Sequence, residues 1–88
     1  MTTKPPSSIQ EFSADALEKI AYTSINSIPT EEPNDRNRLG YHIWRWLRDR
    51  EGTLEQAVSE SGVRMHISRQ DALKTIREAL TKQGISDE

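Results

Sequence analysis

The sequence predicts an all-α protein, a small bundle of about four helices with a flexible N-terminal tail. Apolar residues recur every three or four positions over several segments, which is the spacing of one helix face. Residues that favour helix starts and stops separate these segments. The length of 88 residues allows one domain. We therefore expect a disordered tail at 1–11, a single helical domain over 12–84 and a C-terminal tail at 85–88.

The first helix is expected over 14–27. Ser13 is a suitable N-cap, and Phe12 and Leu17 occupy the two positions of a hydrophobic staple. Pro29 prevents a longer helix, because the residue before a proline is disfavoured in the helical conformation. The buried stripe is predicted to comprise Leu17, Ile20, Ala21, Ser24 and Ile28.

The second helix is expected over 35–51, after a connection that contains two prolines. Gly52 is well placed as its left-handed C-cap. At 100° per residue, four large apolar side chains fall within about a third of the circumference, the width of a core-facing stripe. The second helix is therefore predicted to be the hydrophobic centre, through Leu39, Ile43, Trp46 and Leu47.

A short third helix is expected over 54–61, where Thr53 and Gln56 hold the two positions of a capping box and Gly62 provides the stop. The fourth helix is expected over 69–83. Its predicted N-cap is Ser68, its C-terminal stop is Gly84, and its core positions are Ala72, Leu73, Ile76, Ala79 and Leu80. Between the two helices, residues 63–67 alternate apolar and polar side chains, a pattern also compatible with a short strand.

The composition argues against several classes of function. The absence of cysteine excludes a disulfide framework, thiolate-bound zinc and a cysteine nucleophile. The two histidines lie in different predicted elements, and the glycines are single, so neither a metal site nor a phosphate-binding loop is predicted. We expect no enzyme, no cofactor and no metal. The N-terminus lacks the apolar region of a signal peptide and no long apolar run follows, which predicts a cytoplasmic protein that does not enter a membrane.

The second helix carries the most informative cluster of exposed residue types. Tyr, Trp and Arg are the residues that dominate binding hot spots. The alternative is that a central helix is contacted on several sides, with arginine stems covering the rings. The preferred interpretation is a non-enzymatic adaptor, inhibitor or regulatory subunit that binds another protein or a second copy of itself as a homodimer. The predicted contact residues are Tyr41, Trp44, Arg45 and Arg48, with Arg38 at the margin.

A second interpretation is a DNA-binding transcriptional regulator that uses a helix-turn-helix-like or ribbon-like segment at 62–83. Basic residues are in excess in the second and fourth helices, as phosphate binding requires. The sequence pI of about 5.7 nevertheless favours a protein partner over nucleic acid. The residues predicted to contact DNA in this alternative are Arg64, Arg69, Gln70, Lys74 and Arg77.

Overall fold

The computed structural model describes residues 12–85, so the tail predicted at 1–11 and the last three residues lie outside the described residues. The described chain forms four helices: α1 (Ala14–Ser24), α2 (Pro33–Asp49), α3 (Leu54–Ser61) and α4 (Arg69–Lys82). Within 12–85 there is no strand. The predicted all-α fold class is confirmed.

One hydrophobic core joins the four helices, and α2 lies at its centre. Helix α1 packs most extensively against α2, which also contacts α3, while α4 packs on α1. All four apolar residues predicted for the core stripe of α2 are buried. Ile20 and Ala79, also predicted as core positions, are half-buried. Ile25 was not predicted and is fully buried.

Helix α1 ends three residues earlier than predicted, at Ser24. Residues 25–27 form a turn, and the N–H of Ile28 donates to the carbonyl of Ile25 at 3.0 Å. The turn brings both isoleucine side chains into the core. Their burial offsets the helical hydrogen bonds that a longer α1 would form.

Helix α2 begins at Pro33, two residues before the predicted start. Proline is accepted there because an N–H in the first turn has no helical partner. The buried carboxylate of Asp35 accepts a hydrogen bond from the N–H of Glu32 at 3.2 Å. Asp35 therefore caps the helix from inside its first turn.

Helix α2 ends at Asp49, and Arg50 rather than Gly52 is its left-handed cap, with φ of 54°. The contacts of Trp46 explain this earlier end. Its Nε1 donates to the carbonyl of Gly52 at 3.2 Å, and the Arg50 guanidinium lies 4.4 Å from the centre of its ring. These contacts keep the residues after α2 packed against Trp46, and they offset the conformational free energy that an arginine loses in the left-handed region.

Helices α3 and α4 begin at the predicted residues. In the capping box of α3, the N–H of Gln56 donates to Thr53 Oγ1 at 3.1 Å and the N–H of Thr53 donates to Gln56 Oε1 at 2.9 Å. Gly62 ends α3 with φ of 67°. The Oγ of Ser68 accepts from the N–H of Asp71 at 3.1 Å and caps α4.

A Schellman motif ends α4 one residue before its predicted end. The N–H of Ile85 donates to the carbonyl of Leu80 at 2.9 Å, and the N–H of Gly84 donates to the carbonyl of Thr81 at 2.9 Å. Ile85 is 2% exposed and belongs to the core. The packed part of the chain thus reaches one residue beyond the domain boundary expected at 84.

The segment 63–67 is a loop fastened at one point. A single antiparallel bridge pairs Met65 with Thr30, and the N–H of His66 donates to the carbonyl of Pro29 at 3.0 Å. The three apolar residues of the segment are half-buried and its two polar residues are exposed. The alternation in the sequence therefore corresponds to alternate burial without a strand.

Candidate functional site

The predicted contact residues of α2 lie on the side of the helix that faces away from its core stripe. We call this set the aromatic–arginine surface; it comprises Arg38, Tyr41, Trp44, Arg45 and Arg48. All but Trp44 are exposed. Tyr41 is 46% exposed and is the one large hydrophobic side chain in residues 12–85 that is exposed. An exposed aromatic residue among arginines has the composition of a binding hot spot.

Trp44 is placed differently from Tyr41. It is half-buried against the core, and its Nε1 donates to the backbone carbonyl of Ala14, at the start of α1, at 3.1 Å. This side chain therefore helps to fasten α1 to α2. It contributes only its uncovered part to the aromatic–arginine surface.

Arginine side chains cover the two aromatic rings. The guanidinium carbon of Arg48 lies 4.6 Å from the centre of the Trp44 ring, and that of Arg45 lies 5.9 Å from the centre of the Tyr41 ring. The two rings are 6.0 Å apart and tilted by 43°. These cation–π and ring contacts restrict the rotamers of long side chains, which lowers the entropy cost of binding a partner.

Two arginines of this surface have an acidic neighbour: Asp49 neutralises the charge of Arg48, and Asp35 lies close to Arg38. The Nε and Nη2 of Arg48 donate to the two carboxylate oxygens of Asp49 at 2.9 and 3.1 Å. This hydrogen bonding raises the pKa of Arg48 and lowers the pKa of the Asp49 carboxyl. Arg38 lies 4.0 Å from the Asp35 carboxylate. Arg45, in contrast, forms no ion pair or hydrogen bond within residues 12–85.

Two neighbours of this surface were not predicted. The centres of the His42 and Tyr41 rings are 5.7 Å apart, and the two rings are almost perpendicular. His42 also lines a shallow groove of about 320 Å³ between α2 and α3. Asp49 binds the residue next to it in sequence, although adjacent residues on a helix usually point apart. The pair depends on Asp49 being the last residue of α2, and since the sequence predicted the helix end at 51, it offered no signal for this contact.

The residues of the DNA-binding alternative are also exposed. Gln70, Lys74 and Arg77 lie at i, i+4 and i+7 and share one stripe of α4. Arg69 occupies the first position of α4 and Arg64 precedes it in the bridged loop. Helix α3 and helix α4 are separated by residues 62–68, more than the three or four residues of a helix-turn-helix.

No helix within 12–85 combines the length and the hydrophobicity needed to span a membrane. Over the same range, no three His, Asp or Glu side chains are grouped to hold a metal ion. Comparisons of this chain with family models, with curated proteins and with solved structures gave no match.

Proposed function

We propose that this chain is a non-enzymatic adaptor, inhibitor or regulatory subunit that binds another protein through the aromatic–arginine surface. The exposure of Tyr41 carries the proposal. A tyrosine that contributes little to the core leaves much apolar area in water, and a partner gains free energy by covering it. The covering arginines supply directional donors beside that apolar area.

The arrangement of the surface supports binding better than catalysis. Its charged groups are exposed, whereas catalytic groups usually owe their reactivity to burial. Its rings and guanidinium groups are already held against one another, so a partner meets a surface with few free rotamers.

The test is affinity copurification of the tagged chain from cells that express it naturally, with nuclease treatment. We expect a partner that is retained by the wild-type protein and lost with Tyr41→Ala. Lys74→Ala, an exposed change on α4, is the matched control and should retain the partner. The proposal would be contradicted if the same proteins were bound to the Tyr41→Ala variant and to the wild type.

The same surface is available for self-association. Size-exclusion chromatography with light scattering of the wild-type protein distinguishes this case, since a homodimer that uses Tyr41 dissociates in the Tyr41→Ala variant. A dimer that is unchanged by this substitution would place the self-contact elsewhere.

A second candidate is DNA binding through the exposed polar stripe of α4. It is supported by the shared orientation of Gln70, Lys74 and Arg77 and by the position of Arg69 at the helix N-terminus. This candidate predicts that the protein shifts the mobility of duplex DNA and that its affinity for DNA falls steeply as the salt concentration rises. For Lys74→Ala, the logarithm of the affinity should fall less steeply with the logarithm of the salt concentration. No shift at low salt would refute it.

A further inference from the structure

The exposed stripe of α2 presents a short basic stretch with acidic groups at both ends. Arg38 and Arg48 are ten positions apart on the helix, a distance of about 15 Å along the axis. Exposed Glu31 and Glu32 precede the N-terminus of α2, and Glu51 follows its C-terminus. A ligand longer than this stretch meets carboxylates at either end.

Among the three arginines of this stretch, Arg45 is the one that makes neither an ion pair nor a hydrogen bond with another residue of 12–85. Arg48 donates to both oxygens of the Asp49 carboxylate, and Arg45 acts on that carboxylate through its charge, which adds to the lowering of the Asp49 pKa without an ion-pair contact. Arg45 lies one helical turn from Tyr41 and close to its ring. The structure thus places a guanidinium whose N–H groups bond no other residue of 12–85 beside the exposed apolar area of Tyr41.

The acidic ends favour a peptide over a nucleic acid. Duplex DNA carries about one negative charge per 1.7 Å, so a duplex that follows the stripe would bring phosphates against the glutamates at its ends. An extended peptide segment of about five residues covers 15 Å. Such a segment reaches Arg45 and Tyr41 together without passing the acidic ends.

From this charge complementarity we infer that the occupant of the aromatic–arginine surface is a short acidic segment of a partner protein, which places a carboxylate on Arg45 and an apolar side chain on Tyr41. The inference rests on the proposed function and names the chemistry of the partner. An arginine and a carboxylate form two parallel hydrogen bonds, whereas a lysine offers one point charge. The inference therefore predicts a difference between arginine and lysine at position 45.

The experiment is a selection from a phage-displayed library of random peptides of about seven residues, slightly longer than the stripe, on the immobilised wild-type protein at about 0.15 M salt. Selected peptides are then synthesised, labelled and measured by fluorescence anisotropy. We expect sequences rich in Asp or Glu beside an aromatic residue or leucine. Arg45→Ala should weaken their binding about tenfold or more, and Arg45→Lys should recover only part of it.

A charge exchange makes the test specific. Arg45→Glu should abolish binding of a selected peptide, and replacing the critical acidic residue of that peptide by lysine should restore it to this variant. Lys19→Ala, an exposed substitution on α1, is the control and should bind the original peptide like the wild type. Circular dichroism confirms folding of each variant, and Arg45→Asp replaces Arg45→Glu in the charge exchange if the latter does not fold.

Three outcomes would overturn the inference: selected peptides without acidic residues, binding that is insensitive to Arg45→Ala, or no enrichment above background. Arg45-dependent binding of a labelled duplex DNA in place of peptides would also overturn it. Copurification separates this failure from that of the proposed function. A partner lost with Tyr41→Ala and retained with Arg45→Glu leaves the proposed function standing and refutes the acidic segment.

Discussion

The contact between α1 and α2 at Gly40 gives the sharpest test of the packing. Gly40 is buried within α2, and the ring of Tyr22 lies directly over it. A Cβ at position 40 would overlap the Cδ1 and Cε1 atoms of that ring and would lie 2.9 Å from Cζ. The Tyr22 hydroxyl also donates to the backbone carbonyl of Asn37 at 3.3 Å, so the ring cannot swing aside without losing this hydrogen bond.

Gly40→Ala brings two opposed effects. Alanine favours a helix over glycine by about 0.5–1 kcal/mol. Overpacking costs about 1–3 kcal/mol, and loss of the Tyr22 hydrogen bond costs about 0.5–1.5 kcal/mol. We therefore expect a net destabilisation of about 1–3 kcal/mol in chemical denaturation followed by circular dichroism.

A double-mutant cycle isolates the cause. In a Tyr22→Ala background the overlap is absent, and Gly40→Ala should then stabilise the protein by about 0.5–1 kcal/mol through helix propensity alone. The effect of Gly40→Ala on the free energy of unfolding thus changes sign between the two backgrounds. A Gly40→Ala protein that is more stable than the wild type in the presence of Tyr22 would refute the close packing described here.

Three further predictions concern α2. Ile43→Ala removes a fully buried side chain and should reduce the free energy of unfolding by about 2–5 kcal/mol in urea denaturation; an unchanged midpoint would remove this position from the core. Trp44→Ala loses half-buried apolar area and a hydrogen bond to the α1 backbone, so its thermal midpoint should fall by several degrees. The thermal midpoint of Tyr41→Ala should stay near that of the wild type, because Tyr41 is exposed. Equal midpoints for the two variants would contradict the different placement of the two rings. Because its hydrogen bond to Arg48 lowers the pKa of Asp49, this pair stabilises the fold above the ordinary titration range of a carboxyl and loses its effect as the pH falls through the lowered pKa. The difference in thermal midpoint between the wild type and Asp49→Asn should therefore be constant over about pH 5–8 and shrink in acid, and a difference that grows in acid would contradict this sign.

The features that the sequence predicted are those set by local spacing. The core stripe of α2 and the caps at Thr53 and Ser68 depend on residues within one or two helical turns, so their pattern can be interpreted without knowledge of the rest of the fold. The same geometry placed Tyr41 opposite the core stripe, and the structure then shows that its ring is exposed. These local rules sufficed for the all-α fold class.

The features that the sequence did not predict depend on residues from elsewhere in the chain. Trp44 is held by the carbonyl of Ala14, which belongs to another helix, so helical spacing alone grouped it with Tyr41. The left-handed Arg50 owes its conformation to the Trp46 ring beneath it, although Gly52 has the better intrinsic propensity for that role. The ion pair between Arg48 and Asp49 likewise depends on where α2 ends.

The bridge between Thr30 and Met65 makes two distant connections into one cooperative unit. The N–H of Glu31 donates to the carbonyl of Arg64 at 3.4 Å, and that of His66 donates to Pro29, so each connection holds an amide of the other. Neither amide hydrogen exchanges with solvent deuterium until the two connections separate, and a single opening event exposes both amides to exchange. Opening the α1–α2 connection therefore also frees the polypeptide that leads into α4, which couples the flexibility of the two halves of the chain.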